Sequence, residues 1–217
     1  AAEPLHDAIS PWQKNMLGEI GLSLEVLFKE KDWDYFTQKE FDLLYPSYGD
    51  TYATFNGAIG LTLEQGGGGK AGILLVQDSE DTLKLVDRID KHFEVAKKIN
   101  DVLLKNRIQI IENQQKYHLN AEKNGNGKYK TYVIKNNNSA KIKVLKQQLD
   151  RVEIGYQDAS GSQNSLSYNF QNNLTENHLI EKGDLLISTL QPKGHLVRVL
   201  FEPKTSMNEV KTYDISA

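Results

Sequence analysis

Few side chains in this sequence have a type and placement that could do chemistry. The first is Glu64, which ends the run Ala58-Ile59-Gly60-Leu61-Thr62-Leu63. The β-forming, mostly apolar character of that run predicts a buried strand across residues 56–65. A carboxylate at the end of such a strand is partly withdrawn from water, which suits general acid–base work. By chemistry alone, an acid that simply points to solvent is the commoner arrangement. Tyr45 and Tyr48 lie upstream in residues 45–50, a loop by its Pro46, Ser47 and Gly49. A loop tyrosine can cover a substrate pocket and donate a hydrogen bond, although simple packing is its commoner use.

Other chemistries fail on detail. Gly66-Gly67-Gly68-Gly69-Lys70 invites a phosphate-loop reading, but Glu64 stands where the motif needs its first glycine and Ala71 where it needs Ser or Thr. A flexible surface loop is the better reading. No two of the five histidines, His6, His92, His118, His178 and His195, sit three or four residues apart, so none pair on one helix face as metal ligands. The absence of cysteine excludes disulfides, thiolate zinc sites and a cysteine nucleophile. There is no GxSxG nucleophile elbow. With 26 Lys+Arg against 29 Asp+Glu the formal charge is -3, which gives no global pull toward nucleic acid or anionic lipid. No apolar run approaches the ~20 residues of a membrane span.

These residues must be positioned by the elements around them. Ser10-Pro11 predicts a helix start, and Trp12, Met16, Ile20, Leu24 and Leu27 recur at helical spacing to an end near Glu30. Residues 32–36 read as a short strand or turn. Ser79-Glu80-Asp81 predicts the start of a long helix, with Leu83, Val86, Phe93, Ala96, Ile99 and Leu103 as its stripe and an end between residues 115 and 120. Asn124-Gly125-Asn126-Gly127 is the strongest boundary signal. Beyond it, strands are predicted at 129–135, 153–157, 166–170 and 184–190. Helices are predicted at 140–152 and 195–201, and a polar loop at 160–165. The organisation is therefore residues 1–123, a linker at 124–127, and a small α/β module at 128–217.

The run from Tyr45 to Gly67, YPSYGDTYATFNGAIGLTLEQGG, resembles the late part of the catalytic domain of carboxypeptidase A-like zinc carboxypeptidases, in a bacterial branch. In that family a Tyr-containing loop precedes an Asp–aromatic segment, and a Gly-Ala-Ile-Gly-like strand then carries the catalytic Glu. Asp50 and Glu64, fourteen residues apart, fit that layout. The segment EPLHDAISPWQ is similar to the piece that follows the family's last zinc ligand. The resemblance extends weakly through residues 129–136 and 188–203.

The resemblance implies an α/β fold: the later half of a mixed-sheet catalytic domain plus the small α/β module. It implies Glu64 as general base and acid, and Tyr48 or Tyr45 as the substrate-capping tyrosine. It also implies a peptide substrate cleaved at its C-terminus, zinc in the parent protein, and a periplasmic or extracellular location. The family's early His-x-x-Glu and later His do not precede Glu64 here. The expectation is a C-terminal fragment that binds no zinc and is inactive alone. A sheet without its earlier strands exposes an apolar edge, which predicts a dimer or a rearranged contact through that surface. Two readings compete with the peptidase. One is a binding module after Gly127, using Tyr129, Tyr132, Tyr156 and Tyr168. The other is a non-catalytic pseudo-peptidase remnant.

Overall fold

The computed structural model describes residues 3–39, 42–66, 73–76 and 82–202. The chain folds into two compact units, Ala1–Thr54 with Ala58–Asn113, and Phe55–Gly57 with Gln114–Ala217.

In the first unit, Ser10 opens helix α1 (Pro11–Glu30) through a reciprocal capping box. The Ser10 Oγ accepts from the Gln13 N–H at 3.2 Å, and the Gln13 Oε1 accepts from the Ser10 N–H at 3.0 Å. The helical stripe buries Met16, Ile20, Leu24 and Leu27 against Val95 and Val102 of α3 (Leu85–Lys105). That is the core of this unit, flanked by Trp12, Phe28 and Trp33. At the end of α1 the chain turns through Asp32, at φ +53°, and the Trp33 N–H donates to the Phe28 carbonyl at 2.9 Å. Residues 32–36 are therefore a helix-terminating turn followed by irregular chain, with no strand.

A short helix, α2 (Gly49–Phe55), stands at the end of what the sequence reads as a loop. The predicted strand at 56–65 does not form. Its polar backbone groups are satisfied by side chains instead of a neighbouring strand. The Gln13 Nε2 donates to the Ala58 carbonyl at 2.8 Å, and the Gly60 N–H donates to Thr54 Oγ1 at 3.2 Å. The only strands described in this unit are β1 (Leu74–Val76) and β2 (Thr82–Lys84), an antiparallel pair with Leu75 opposite Leu83. Hence no mixed sheet is present among the described residues. Ile73, Leu74 and Val76 are exposed by 82%, 53% and 62%, an apolar surface continued by Val86, Ile89 and Phe93 of α3.

The long helix does not begin at Ser79. Residues 77–81 lie outside the described residues, as do most of the glycine run and the last fifteen residues. It begins at Leu85, where the Asp87 carboxylate accepts from the Lys84 N–H at 2.9 Å. It breaks at Asn106, whose side chain donates to the Val102 carbonyl and to Glu19, and continues as α4 (Arg107–Asn124). The helical pattern therefore outruns its expected end and stops at the Asn124-Gly125 signal, with Gly125 at φ +65°. The division between the units falls inside α4.

The second unit contains a three-stranded antiparallel sheet in the order β3 (Thr131–Ile134), β7 (Leu185–Ser188), β4 (Gln157–Asp158). Tyr132 pairs with Ile187 in its central register. Helix α5 (Ser139–Arg151), capped by Asn138, lies between β3 and β4 in the chain and buries Ile142 and Leu149. The hairpin β5 (Gln163–Asn169) and β6 (Leu174–Ile180) runs from Gln163 opposite Ile180 to Asn169 opposite Leu174. The loop expected at 160–165 thus already contains the start of β5, and β6 has no counterpart in the sequence reading. The strand expected at 153–157 is reduced to β4, because Val152 to Ile154 close the end of α5 by turn hydrogen bonds. Helix α6 (Gly194–Phe201) contacts β7. The fold is mixed α/β.

Candidate functional site

A cleft of about 940 Å³ lies within the first unit. This is at the upper end of the range common for small-molecule and peptide sites. One wall is the face of α1 that carries Glu25 and Phe28. A second is the chain leaving α1, with Trp33 and Tyr35. A third is the chain at 60–66, with Glu64, and the remainder comes from β2 and the first turns of α3.

Glu64 is solvent-exposed on the wall of this cleft, and among the described residues no hydrogen bond or ion pair holds its carboxylate. The chain just before it, up to Thr62, is held by neighbours. Asp50, in the first turn of α2, accepts from the Thr51 N–H at 2.7 Å through Oδ1 and from Thr62 Oγ1 at 2.6 Å through Oδ2. Thr54 Oγ1 donates to the Asp50 carbonyl at 2.8 Å and accepts from the Gly60 N–H. Gly60 has no alternative here, since a Cβ would collide with the Asp50 carbonyl. Beneath both elements Gln13, 1% exposed, donates through Nε2 to the Thr54 and Ala58 carbonyls, each at 2.8 Å. Thus Asp50 and Glu64 are brought to one cleft. Tyr45 and Tyr48 are not: their rings meet edge to face at 5.2 Å, both are exposed, and neither lines the cleft.

Four aromatic rings, Phe28, Trp33, Tyr35 and Phe36, line the cleft at and after the end of α1. Phe28 lies 6.2 Å from Trp33 and 5.1 Å from Tyr35. The ammonium of Lys91 lies 5.5 Å from the centre of the Trp33 ring. Lys91 reaches it because Val95, one turn later on α3, is buried against α1. The Tyr35 hydroxyl donates to Glu25 at 3.1 Å, and Lys29 pairs with the same carboxylate at 2.6 Å. The hydrogen bonds from Lys29 and then Tyr35 hold the Glu25 carboxyl below its usual range. Tyr35 is pushed up, first by desolvation and then by Glu25. Seven carboxylates line the cleft against two lysines, Lys39 and Lys91. Sequence reasoning missed Gln13, although the Ser10-x-x-Gln13 spacing is a capping-box signal. It also missed the Trp33–Lys91 pair, which no local pattern marks.

In the second unit, His195 stacks on Tyr117 at 3.9 Å and its Nδ1 meets Asn126 Nδ2 at 2.7 Å. Burial pushes His195 down to about 4, and the charges of His118 and Arg198 add to that. Tyr117, pushed up by desolvation, donates to the Phe55 carbonyl at 3.0 Å. Gly57, at φ +84°, lies so close to the Tyr117 ring that a Cβ would meet it at 2.9 Å. Of the four tyrosines read as a binding surface, two stack on each other and one is buried. Tyr132 is buried against Phe201, with its hydroxyl pushed up to about 12, first by burial. Tyr129 stacks on Tyr168 at 5.7 Å, and Tyr156 carries Lys146 over its ring.

Among the described residues no three His, Asp or Glu side chains converge as metal ligands. His178 and Glu181 do have His-x-x-Glu spacing, but strand alternation sends positions three apart to opposite faces, and Glu181 bonds Lys135. Among the described residues no helix is long and apolar enough to cross a membrane. Comparison of the chain with protein-family models, curated proteins and solved structures gives no match.

Proposed function

We propose that this chain carries the general-base carboxylate of a carboxypeptidase-like hydrolase, and that Glu64 is that carboxylate. One observation carries the reading. Glu64 stands free on the wall of the main cleft, on a segment clamped by Asp50, Thr54 and Gln13. A carboxylate that is open to water and follows directly on a chain tied at Ala58, Gly60 and Thr62 is suited to take a proton and return it. The resemblance of residues 45–67 supplies the reaction class. On this reading residues 1–123 are the later half of a catalytic domain and the substrate is a peptide with a free C-terminus.

Glu64 accepts a proton from water as the water oxygen bonds to the scissile carbonyl carbon. It returns that proton to the amine nitrogen as the carbon–nitrogen bond breaks. Proton transfer of this kind is worth about 10²- to 10⁴-fold in rate. The resemblance also implies zinc, but the described residues do not build a zinc site, and the role of Glu64 is derived without one. In the parent protein the metal would have to be held by residues other than these.

The test uses the complete natural protein and peptides with free C-termini, measuring release of the terminal amino acid. Glu64→Gln is expected to lower kcat by at least about 10² while leaving the unfolding midpoint unchanged. Release unaffected by Glu64→Gln overturns the role given to Glu64, and no release by the unaltered protein leaves the non-catalytic module as the better reading.

A further inference from the structure

We infer that the aromatic end of the cleft is a recognition site for an organic cation, the side chain of a lysine or arginine in the peptide, and that Lys91 occupies it in the free protein. This rests on the proposed function in taking the ligand to be a peptide. Phe28, Trp33 and Tyr35 line the same cleft as Glu64, with the Phe28 ring centre 5.1 Å from Tyr35 and 6.2 Å from Trp33. An ammonium already lies 5.5 Å above Trp33, inside the distance at which a ring face attracts a cation. That ammonium is the protein's own. Among the described residues Lys91 makes no ion pair, despite an excess of carboxylates around it.

The ring geometry sets the ligand class. Carboxylates alone attract any counter-ion, metal or organic. An aromatic face next to them favours a poorly hydrated organic cation with a stem that can lie along apolar surface. Lysine and arginine side chains have that form, and Lys91 shows that the ring can take one. A substrate cation entering the cleft replaces Lys91, whose flexible stem lets it swing away toward solvent. Trp33 is fixed for this task by its own N–H, which bonds to the Phe28 carbonyl at the end of α1.

The experiment uses the complete protein carrying Glu64→Gln, so that binding is read without turnover. Calorimetry compares two peptides that differ only in lysine against norleucine. The lysine peptide is expected to bind roughly three- to thirtyfold more tightly. Trp33→Leu is expected to abolish that preference. Lys91→Met is expected to increase it, and by more than Lys39→Met, which removes the same charge from elsewhere on the cleft. Equal affinity for the two peptides overturns the inference, as does a preference that survives Trp33→Leu, or equal gains from the two lysine variants. If Trp33→Leu fails to fold, the comparison of the two lysine variants decides. The two proposals fail separately. A cation preference in a protein whose hydrolysis ignores Glu64→Gln sinks only the catalytic reading, and loss of hydrolysis with no preference sinks only this one.

Discussion

Replacing Gln13 tests the claim that side chains, not a sheet, hold the segment bearing Glu64. Gln13 is 1% exposed and sits between the start of α1 and the turn after α2. Its amide nitrogen donates to the Thr54 and Ala58 carbonyls, and its amide oxygen accepts from the Ser10 N–H at 3.0 Å and the Ser10 hydroxyl at 2.9 Å. Gln13→Leu keeps the volume and removes every one of these bonds. A buried carbonyl that loses its donor costs about 1–3 kcal/mol, and Thr54 is 1% exposed. The Ala58 carbonyl is only partly buried and falls near the lower end. Losing half of a capping box adds roughly 0.5–1 kcal/mol. The expected loss is about 4 kcal/mol, which at ordinary urea dependence moves the midpoint by roughly 2 M. The assay is urea unfolding followed by tryptophan fluorescence. Both tryptophans, Trp12 and Trp33, lie in the first unit and report on it alone. Gln13→Glu separates the bonds from the packing. It keeps an acceptor for Ser10 but aims a carboxylate at two carbonyls, so it is expected to be at least as damaging at pH 7. Acid should partly rescue it, because a protonated Glu regains one donor. A loss below about 1 kcal/mol for Gln13→Leu, or a neutral Gln13→Glu at pH 7, refutes the reasoning.

Four further outcomes are expected. Gly60→Ala drives a Cβ into the Asp50 carbonyl and is expected to cost about 3 kcal/mol in urea unfolding. Gly18→Ala, at a helical position with nothing within 4 Å, is expected to stabilise by about 1 kcal/mol. His195 is pushed down to about 4 by burial and by the nearby His118 and Arg198 charges, an effect partly offset by a backbone hydrogen bond at Tyr117. The folded state therefore resists protonation that the unfolded chain accepts. Stability of the second unit should be full above pH 6.5 and fall by up to about 3 kcal/mol as the pH drops toward 4. Circular-dichroism melts across that range should show the slope, and His195→Gln should flatten it. Asp184, 2% exposed, would be raised by burial, but Lys135 at 2.6 Å and the N–H groups of Glu181 and Asn136 outweigh that and hold it low. Asp184→Ala should cost about 1–3 kcal/mol in chemical unfolding by leaving the Glu181 and Asn136 N–H groups without their acceptor, while Lys135 keeps Glu181 and the Leu179 carbonyl.

Helices α1, α5 and α6 were legible because their signals are local. Ser10-Pro11 and the stripe from Met16 to Leu27 place α1 at its observed bounds, and the Asn-Gly repeat marks where α4 stops. What escaped was decided by partners distant in sequence. Residues 58–63 have strand composition, yet Gln13, some 45 positions earlier, takes the hydrogen bond that a neighbouring strand would have taken. Asn106 interrupts a continuous helical stripe because Glu19 draws its side chain. Strand β6 was missed because its sequence, LTENHLI, carries too many polar residues to read as β without the partner β5 beside it.

The same distinction governs the candidate site. Glu64 and the two tyrosines come from the same resemblance, and the structure puts Glu64 on the cleft wall while Tyr45 and Tyr48 are not among its lining residues. Helix α2 turns the chain between Tyr48 and Glu64. Asp50 then folds back to Thr62, which leaves Tyr45 and Tyr48 outside the cleft. Trp33 and Lys91, nearly sixty positions apart, meet at the cleft because the packing of Leu24 and Leu27 against Val95 brings α1 and α3 together. The cation site is thus a product of core packing. It follows that enlarging or shrinking the α1–α3 core, for instance by Val95→Ala, should shift cation affinity while leaving the Asp50–Thr62–Glu64 segment in place. That separation is expected only if the two ends of the cleft are held by different interactions, one apolar and one polar.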